Sequence, residues 1–296
     1  MIIPEKLKSR NNIGIISTAR KISLEELNPA IKMLESWGLK VVLGSNLLDK
    51  DNQFSGTIRQ RSADLQQMID DNSIKAILCA RGGYGTVQII DNIDFSNLTN
   101  NPKWIVGYSD VTVLHSHLYN LGFASLHATM PINFAKNTKE SLDSLRNSLF
   151  GIERGVECKT HSFNRFGKTE ADIVGGNLSV LYSLLGSDSD IDTDGKILFI
   201  EDLDEYLYHI DRMMINLKRN GKFEKIRGLI VGCMSDMNDN AIPFGKTAEE
   251  IILDYTEDYD FPICFGFPAG HINDNRSILL GVSSVLEINE NGVSLS

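Results

Sequence analysis

The chain has 296 residues, 42% of them hydrophobic and 23% charged, with 24 glycines and 7 prolines; this composition is typical of globular proteins of about two domains and excludes disordered and fibrous classes. Its 29 basic and 39 acidic side chains give a net charge of −10, and because we find no local basic stripe we expect no nucleic-acid partner. No apolar run approaches the roughly 18 to 20 residues of a membrane helix, and no signal-peptide stretch opens the chain, so we expect a cytoplasmic protein without membrane contact.

The first half alternates short β-rich runs with helical patterns, which predicts βαβ units around a parallel sheet. Ser23 and Glu26 form a capping box before an amphipathic helix that Gly38 ends. In chain order, the pattern predicts strands at residues 13–17, 40–44, 76–80, 104–108 and 125–127, with helices at 23–37, 59–71 and 110–121.

A polar stretch of weak periodicity, from about residue 137 to 168, predicts a domain boundary. We therefore expect an N-terminal α/β domain over residues 1–150, a linker over 151–168 and a C-terminal mixed α/β domain over 169–296. The end of the chain, from Ser277, alternates around two glycines like a hairpin. The other elements expected in the second half are strands at 196–200, 228–232 and 263–266 and helices at 177–185, 205–218 and 247–255.

Open α/β sheets bind ligands beyond the carboxyl ends of their strands, so residues that follow predicted strands are the first candidates. The run Arg81-Gly-Gly-Tyr-Gly85 follows one strand, and its glycines permit positive φ and close approach of an anion to backbone N–H groups. A dinucleotide fingerprint would need a third glycine where Gln88 stands, and the Walker pattern lacks its Gly-Lys-Ser/Thr. From these residues alone, a plain tight turn remains an equal alternative.

Ser109 follows the next predicted strand and precedes a helical pattern. A serine at such a turn presents its hydroxyl near the positive end of the helix, where a hydrolase places its nucleophile. The same position favours a helix N-cap, and the sequence from Gly107 to Val111 lacks the second glycine of a Gly-x-Ser-x-Gly elbow. Both interpretations are therefore open for Ser109 alone.

Two further groups follow strands of the second half. Glu201 and Asp202 lie at one strand end, and His271 lies in a loop after another. Separately they have ordinary explanations, an acidic helix start and an inert loop histidine. With Ser109 they supply a nucleophile, a carboxylate that fixes the imidazole tautomer and a general base, in the chain order of α/β-hydrolases. Neighbours on a strand face opposite sides, so periodicity does not choose between the two acids.

The sequence predicts no metal site. His115 and His117 lie two residues apart on a predicted helix and therefore point to nearly opposite sides. The other histidines have no companion at ligand spacing. The cysteines are widely separated without a Cys-x-x-Cys pair, as expected for thiols in a reducing compartment; they are Cys79, Cys158, Cys233 and Cys264.

Six motifs, in order along nearly the whole chain, resemble the LD-carboxypeptidase family of serine peptidases, which includes muramoyl-tetrapeptide carboxypeptidases and microcin-immunity peptidases. Each motif is weak alone, whereas the ordered set is specific. The chain departs from the family at Arg10-Asn-Asn, where many members have Pro-Gly-Asp. The motifs are Ile13-Gly-Ile-Ile-Ser, Arg81-Gly-Gly-Tyr-Gly85, Gly107-Tyr-Ser-Asp-Val-Thr112, Gly175-Gly-Asn-Leu-Ser179, Ile200-Glu-Asp202 and Gly270-His271 with Leu280-Gly281.

The resemblance implies a two-domain fold with the active site between the domains. It implies Ser109 as nucleophile, Glu201 as the orienting acid, His271 as the base and an oxyanion hole formed by the backbone N–H groups of Gly83 and Asp110. It implies no cofactor and a homodimer. The implied reaction is hydrolysis of the L,D amide bond next to a free C-terminal carboxylate, with release of D-Ala from a cytoplasmic murein tetrapeptide.

A substrate with a free carboxylate calls for a cation, and arginine binds carboxylates bidentately. Arg81 and Arg276 adjoin the motifs and are the candidates, although each could equally pair with a neighbouring acid. Two other functions stay open: an immunity peptidase of the same family that cleaves a peptide-nucleotide or another acylated toxin, and a non-catalytic two-lobed protein that binds small molecules.

Overall fold

The computed structural model describes residues 1–152 and 155–296, which form two β-sheets flanked by helices. The strands are β1 (Asn12–Ile16), β2 (Lys40–Leu43), β3 (Ile74–Cys79), β4 (Trp104–Gly107), β5 (Ser125–His127), β6 (Val156–Cys158), β7 (Gly167–Asn177), β8 (Ile197–Leu203), β9 (Gly228–Ser235), β10 (Ile263–Cys264), β11 (Ile278–Leu280), β12 (Ser283–Asn289) and β13 (Gly292–Leu295). The helices are α1 (Leu24–Ser36), α2 (Ile58–Asp70), α3 (Thr112–Asn120), α4 (Lys139–Phe150), α5 (Leu178–Leu184), α6 (Leu207–Arg219) and α7 (Ala248–Thr256).

The first sheet has the strand order β11-β5-β4-β3-β1-β2. Strands β1 to β5 are parallel, as the βαβ pattern predicts, and β11 joins the edge antiparallel to β5. Alternate side chains of β1 enter different cores, because successive residues of a strand face opposite sides. Ile15 packs in the core with α1 and α4, whereas Ile16 packs in the core with α2 and α3.

The second sheet has the order β10-β9-β8-β7-β12-β13-β6. Its strands β7 to β10 are parallel, and β12, β13 and β6 continue antiparallel. Helices α5, α6 and α7 pack on one face, while the other face shares a core with the apolar side chains of β11 from the first sheet. No helix of the described ranges is long and apolar enough to cross a membrane.

The local sequence signals predicted the position of helix α1 correctly. The predicted capping box forms, with Ser23 and Glu26 bonded reciprocally, and the helix ends at Ser36, two residues before Gly38. Helix α4 differs from the prediction, because it occupies part of the polar stretch from residue 137. Its buried Leu142, Leu145 and Leu149 form a narrow apolar stripe among polar residues, which is a weak periodic signal.

The stretch expected to be a linker contains β6, and β7 begins at Gly167, so parts of residues 151–168 belong to the second sheet. Residues 153 and 154 lie outside the described ranges. The hairpin expected from Ser277 begins instead at Ser283, between β12 and β13. The residues before it form β11 in the first sheet, because pairing with β5 buries Ile278 and Leu280 between the sheets.

We expect Leu145→Ala in α4 to lower the free energy of unfolding by about 2 to 5 kcal/mol, because it leaves a cavity in a closed core. The Leu145 side chain is 0% exposed. Leu24→Ala, at a leucine that is 48% exposed, is the matched control and should change stability little. Denaturant unfolding of both variants measures the difference, and equal effects would contradict the packing described for α4.

Candidate active site

Ser109 occupies a sharp turn at the carboxyl end of β4. Its φ is 63°, a conformation that is strained for a residue with a side chain and is often found at functional sites. Gly107 makes the turn possible, since a Cβ there would lie 2.8 Å from Val111 Cγ2. The hydroxyl caps neither the short 3-10 helix from Ser109 to Val111 nor α3. The N-cap alternative is therefore not what the structure shows.

The glycine-rich turn after β3 lies directly against Ser109. A Cβ added to Gly82 would lie 3.2 Å from Ser109 Oγ, so the absent side chain permits this approach. Gly83 is exposed, with a φ of 110°, and within the described ranges its N–H donates to no protein acceptor. The Asp110 N–H belongs to the first turn of a helix, where amides have no acceptor within the helix. Both backbone N–H groups are therefore without a protein acceptor among the described residues.

The Asp110 carboxylate joins the two loops that carry these donors. Its Oδ2 accepts hydrogen bonds from Thr86 N at 2.8 Å and Thr86 Oγ1 at 2.6 Å. Thr86 Oγ1 also lies 2.8 Å from Thr18 Oγ1 in the loop after β1. Burial raises the pKa of Asp110, although the Thr86 and Gly85 hydrogen bonds and the Arg61 charge oppose that effect. The turn and the serine are therefore held in one buried network.

Glu201 and His271 form the closest acid–base contact of the site. Glu201 Oε2 lies 2.7 Å from His271 Nδ1, and the exposed fractions of the two side chains are 0% and 13%. Burial lowers the pKa of His271, but the Glu201 charge, its hydrogen bond and the charge of Asp202 together raise it above its ordinary value. A Cβ at Gly270 would lie 2.6 Å from Glu201 Oε2, so glycine is required beside the histidine.

Asp202 points away from His271 and organises a different part of the site. Its carboxylate accepts hydrogen bonds from Asn177 Nδ2 at 2.9 Å and Ser179 N at 2.8 Å. Burial, followed by the charge of Glu201, raises the pKa of Asp202 to about 7. The backbone N–H of Asn177 in turn donates to Thr112 Oγ1 at 3.0 Å. Asp202 thus links the second sheet to the helix that follows Ser109.

Tyr108 connects the serine loop to the histidine. Its ring centroid lies 4.8 Å from that of His271, and its hydroxyl accepts a hydrogen bond from Asn133 Nδ2 at 2.6 Å. Because Tyr108 precedes Ser109 directly, this contact brings the histidine of the second half to the turn of the first. The three residues predicted as a triad therefore come from different parts of the chain: Ser109 follows β4, Glu201 lies within β8 and His271 lies in the loop after β10.

The loop that carries His271 is held by a contact within the loop and by a contact from the end of β9. Asn275 Oδ1 accepts a hydrogen bond from Gly270 N at 2.9 Å, and the Ser235 hydroxyl donates to His271 O at 3.2 Å. The sequence interpretation assigned no role to Asn275, to Tyr108 or to the Asp110 side chain. Tyr108 and Asp110 lie inside a quoted motif, whereas nothing local distinguishes Asn275.

The two arginines predicted to bind a carboxylate both have protein partners. Arg276 donates from Nε and Nη2 to the carboxylate of Asp274, each at 3.0 Å. Arg81 Nη1 donates to Lys21 O at 3.3 Å. For Arg276, the structure shows the pairing with a neighbouring acid that the sequence had left open.

The histidines of α3 have separate structural partners. His115 contacts Ser125 Oγ at 2.8 Å and Gly107 O at 2.9 Å, whereas His117 contacts Ser189 Oγ at 3.0 Å. Burial lowers the pKa of His115 to about 4. Across the described ranges, no group of three or more His, Cys, Asp or Glu side chains is placed to hold a metal ion.

Comparison with known proteins supplies relatives over most of the chain. The LD-carboxypeptidase N-terminal domain family matches residues 13–128, and the LD-carboxypeptidase C-terminal domain family matches residues 170–286. The chain is 35% identical to the probable murein peptide carboxypeptidase of Bacillus subtilis, over 97% of this chain and 92% of that protein. It is 24% identical to the microcin C7 self-immunity protein of Escherichia coli, over 97% of this chain and 93% of that protein.

The fold also has a close counterpart among solved structures. The muramoyltetrapeptide carboxypeptidase from Oxalobacter formigenes matches with a TM-score of 0.88 and 25% identity, over 96% of this chain and 97% of that chain. The predicted α/β fold class, with a parallel sheet in the first half and a mixed sheet in the second, is confirmed.

We expect Glu201→Gln to lower the pKa of His271 below its ordinary value of about 6.5. The substitution removes the neighbouring charge that raises this pKa, so the effect of burial dominates. An NMR titration of the imidazole measures the shift. The His161 ring, which packs on Phe163 and Phe265, is an internal reference for the fold. An unchanged or higher His271 midpoint would contradict this electrostatic account.

We expect Asp110→Ala to cost about 1 to 3 kcal/mol of stability, because it leaves the buried Thr86 N–H without its acceptor. The amide of Thr86 should also exchange faster with solvent, since the glycine-rich turn loses its anchor. Asp260→Ala, at an exposed aspartate, is the control. Denaturant unfolding and hydrogen exchange measure the two effects, and unchanged exchange at Thr86 would show that the turn is held by other contacts.

Proposed function

The chain belongs to the LD-carboxypeptidase family, and we propose that it is a serine peptidase that releases D-Ala from a cytoplasmic murein tetrapeptide. The observation that carries the proposal is the 2.7 Å contact between buried Glu201 and His271. The His271 ring also contacts Tyr108, which directly precedes the strained Ser109. The arrangement supplies the parts that acyl transfer requires: a nucleophile, an oriented base and backbone donors.

The base would work through the ring nitrogen that Glu201 leaves free. When His271 Nδ1–H donates to the carboxylate, Nε2 is the basic nitrogen and can take the proton of Ser109. The serine oxygen then attacks the substrate carbonyl. Glu201 stabilises the imidazolium that forms, which is consistent with the raised pKa of His271.

The oxyanion of the tetrahedral intermediate would lie between the backbone N–H groups of Gly83 and Asp110. Such donors are each worth about 3 to 4 kcal/mol of transition-state stabilisation. His271 next returns its proton to the leaving amine of D-Ala, which breaks the amide bond and leaves an acyl ester on Ser109. The same imidazole then activates a water molecule that hydrolyses the ester, so the cycle needs no cofactor.

The choice of substrate rests on the relatives. The Bacillus subtilis protein named for murein peptides is 35% identical, against 24% for the Escherichia coli immunity protein, which favours a murein peptide over a peptide-nucleotide or another acylated toxin. The strained serine and the buried acid–base pair favour catalysis over mere binding. The proposal includes a homodimer and a division of the triad between two domains, which follow from the family resemblance, together with the cytoplasmic location expected from the sequence.

We expect Ser109→Ala to reduce D-Ala release from a purified murein tetrapeptide by at least about 10³-fold, because the nucleophile is removed. Ser36→Ala, at an exposed helix residue, is the matched control and should retain full turnover. A panel of murein tri-, tetra- and pentapeptides beside an acyl-adenylate toxin, with product analysis by chromatography, tests substrate and reaction together. Undiminished turnover of Ser109→Ala would refute the proposed nucleophile.

His271→Ala and Glu201→Ala should each lower the rate by orders of magnitude while the thermal unfolding transition stays cooperative. An activated phosphonate should label Ser109 in the parent protein and not in Ser109→Ala. A folded parent protein that neither labels nor turns over any peptide would favour the small-molecule binding protein instead.

A further inference from the structure

In the first sheet, the order in which successive strands are added reverses at β1. From β1 the chain proceeds to β2 on one side and then returns to β3 on the other side of β1. The loop after β1 leads to α1 on one face of the sheet, and the turn after β3 leads to short helices on the other. Sheets of this kind bind ligands in the crevice between two such diverging loops.

Arg20 and Gly83 face each other across this crevice. A Cβ built on Gly83 would lie 2.6 Å from both Cδ and Nε of Arg20, so the arginine side chain lies across the glycine backbone. The neighbouring Gly82 has its Cβ position 3.2 Å from Ser109 Oγ. The Arg20 guanidinium therefore lies beside Gly83, whose N–H is one of the two proposed oxyanion donors. The preceding residue, Gly82, is the one that contacts Ser109.

The Arg20 guanidinium is available to a ligand. Arg20 is exposed, and among residues 1–152 and 155–296 its side chain is hydrogen-bonded to no acceptor and paired with no acid. The other arginines near the turn are occupied: Arg81 donates to Lys21 O, and buried Arg61 donates to Thr18 O and Gly85 O.

The backbone around Arg20 is held in place. The Ser17 hydroxyl donates to Arg20 O at 2.7 Å. Arg20 also forms an antiparallel β-bridge with Phe54. On either side of that bridge, Ser55 N donates to Ala19 O and Lys21 N donates to Gln53 O, each at 3.0 Å. A rigid base reduces the conformational entropy that the arginine loses on binding.

We propose that Arg20, rather than Arg81 or Arg276, binds the C-terminal carboxylate of the substrate. The inference rests on the proposed function. When the scissile carbonyl oxygen occupies the oxyanion hole, the carboxylate of the terminal residue lies about one residue length away, roughly 3.3 to 3.8 Å along the chain. The guanidinium beside Gly83 lies close enough to donate two parallel hydrogen bonds to that carboxylate. Arg20 then determines specificity for a free C-terminus.

The test compares a murein tetrapeptide with its C-terminal carboxamide, which keeps the scissile bond and removes the charge. The parent protein should prefer the acid. Arg20→Gln should lower kcat/KM for the acid by about 10- to 100-fold, the range expected for a charge-assisted bidentate contact, and should change kcat/KM for the amide little. Arg20→Lys should restore part of the preference, because it keeps the charge without the planar fork.

Arg59→Gln, at an exposed arginine of α2, is the matched control and should behave like the parent protein. A Ser109→Ala background separates binding from turnover: calorimetry should show tighter binding of the acid than of the amide, and added Arg20→Gln should remove the difference. If that difference appears while the parent protein releases no D-Ala, the proposed function fails and the carboxylate site stands.

Three results would overturn the assignment of Arg20. The first is a preference for the acid that survives in Arg20→Gln. The second is a loss of preference in Arg81→Gln or Arg276→Gln that exceeds the loss in Arg20→Gln. The third is equal binding of acid and amide by the Ser109→Ala protein, because a carboxylate site must distinguish them.

Discussion

Glu201 carries its carboxylate in the fully buried interior between the sheets, and an ionised group there is unfavourable unless it is paired. His271 provides the pair through Oε2, while Oε1 has no hydrogen-bond partner within the described ranges. The one contact therefore stabilises the acid, selects the imidazole tautomer and raises the pKa of the base. Glycines on both sides leave space for this side chain. A Cβ at Gly270 would lie 2.6 Å from Glu201 Oε2, and a Cβ at Gly232 would lie 3.1 Å from Glu201 Cβ.

Two further connections join the two sheets near the same place. Asn177, at the end of β7, donates to Thr112 at the start of α3. Strand β11 leaves the His271 loop to pair with β5 and then continues into β12 of the second sheet. Because each connection lies close to a loop of the candidate site, the relative position of serine and histidine depends on packing between the two halves of the chain.

Charge has different roles over the molecule and at the site. The net charge of −10 repels anions at long range, whereas the crevice beyond β1 and β3 offers backbone N–H groups and the Arg20 guanidinium. In the proposed complex, the anionic peptide binds there because short-range, charge-assisted hydrogen bonds outweigh a field that salt screens within about 10 Å.

The sequence by itself determined the elements whose signals are local. The capping box and apolar spacing located α1, short β-rich runs located the parallel strands, and the ordered motifs identified the family together with Ser109, Glu201 and His271 as candidates. Only the tertiary structure decided that Glu201, not Asp202, contacts His271, that Ser109 caps no helix, and that β11 joins the first sheet. Each of these depends on side chains or strands far apart in the chain, whose contacts are set by packing between elements and leave no periodic trace in the sequence.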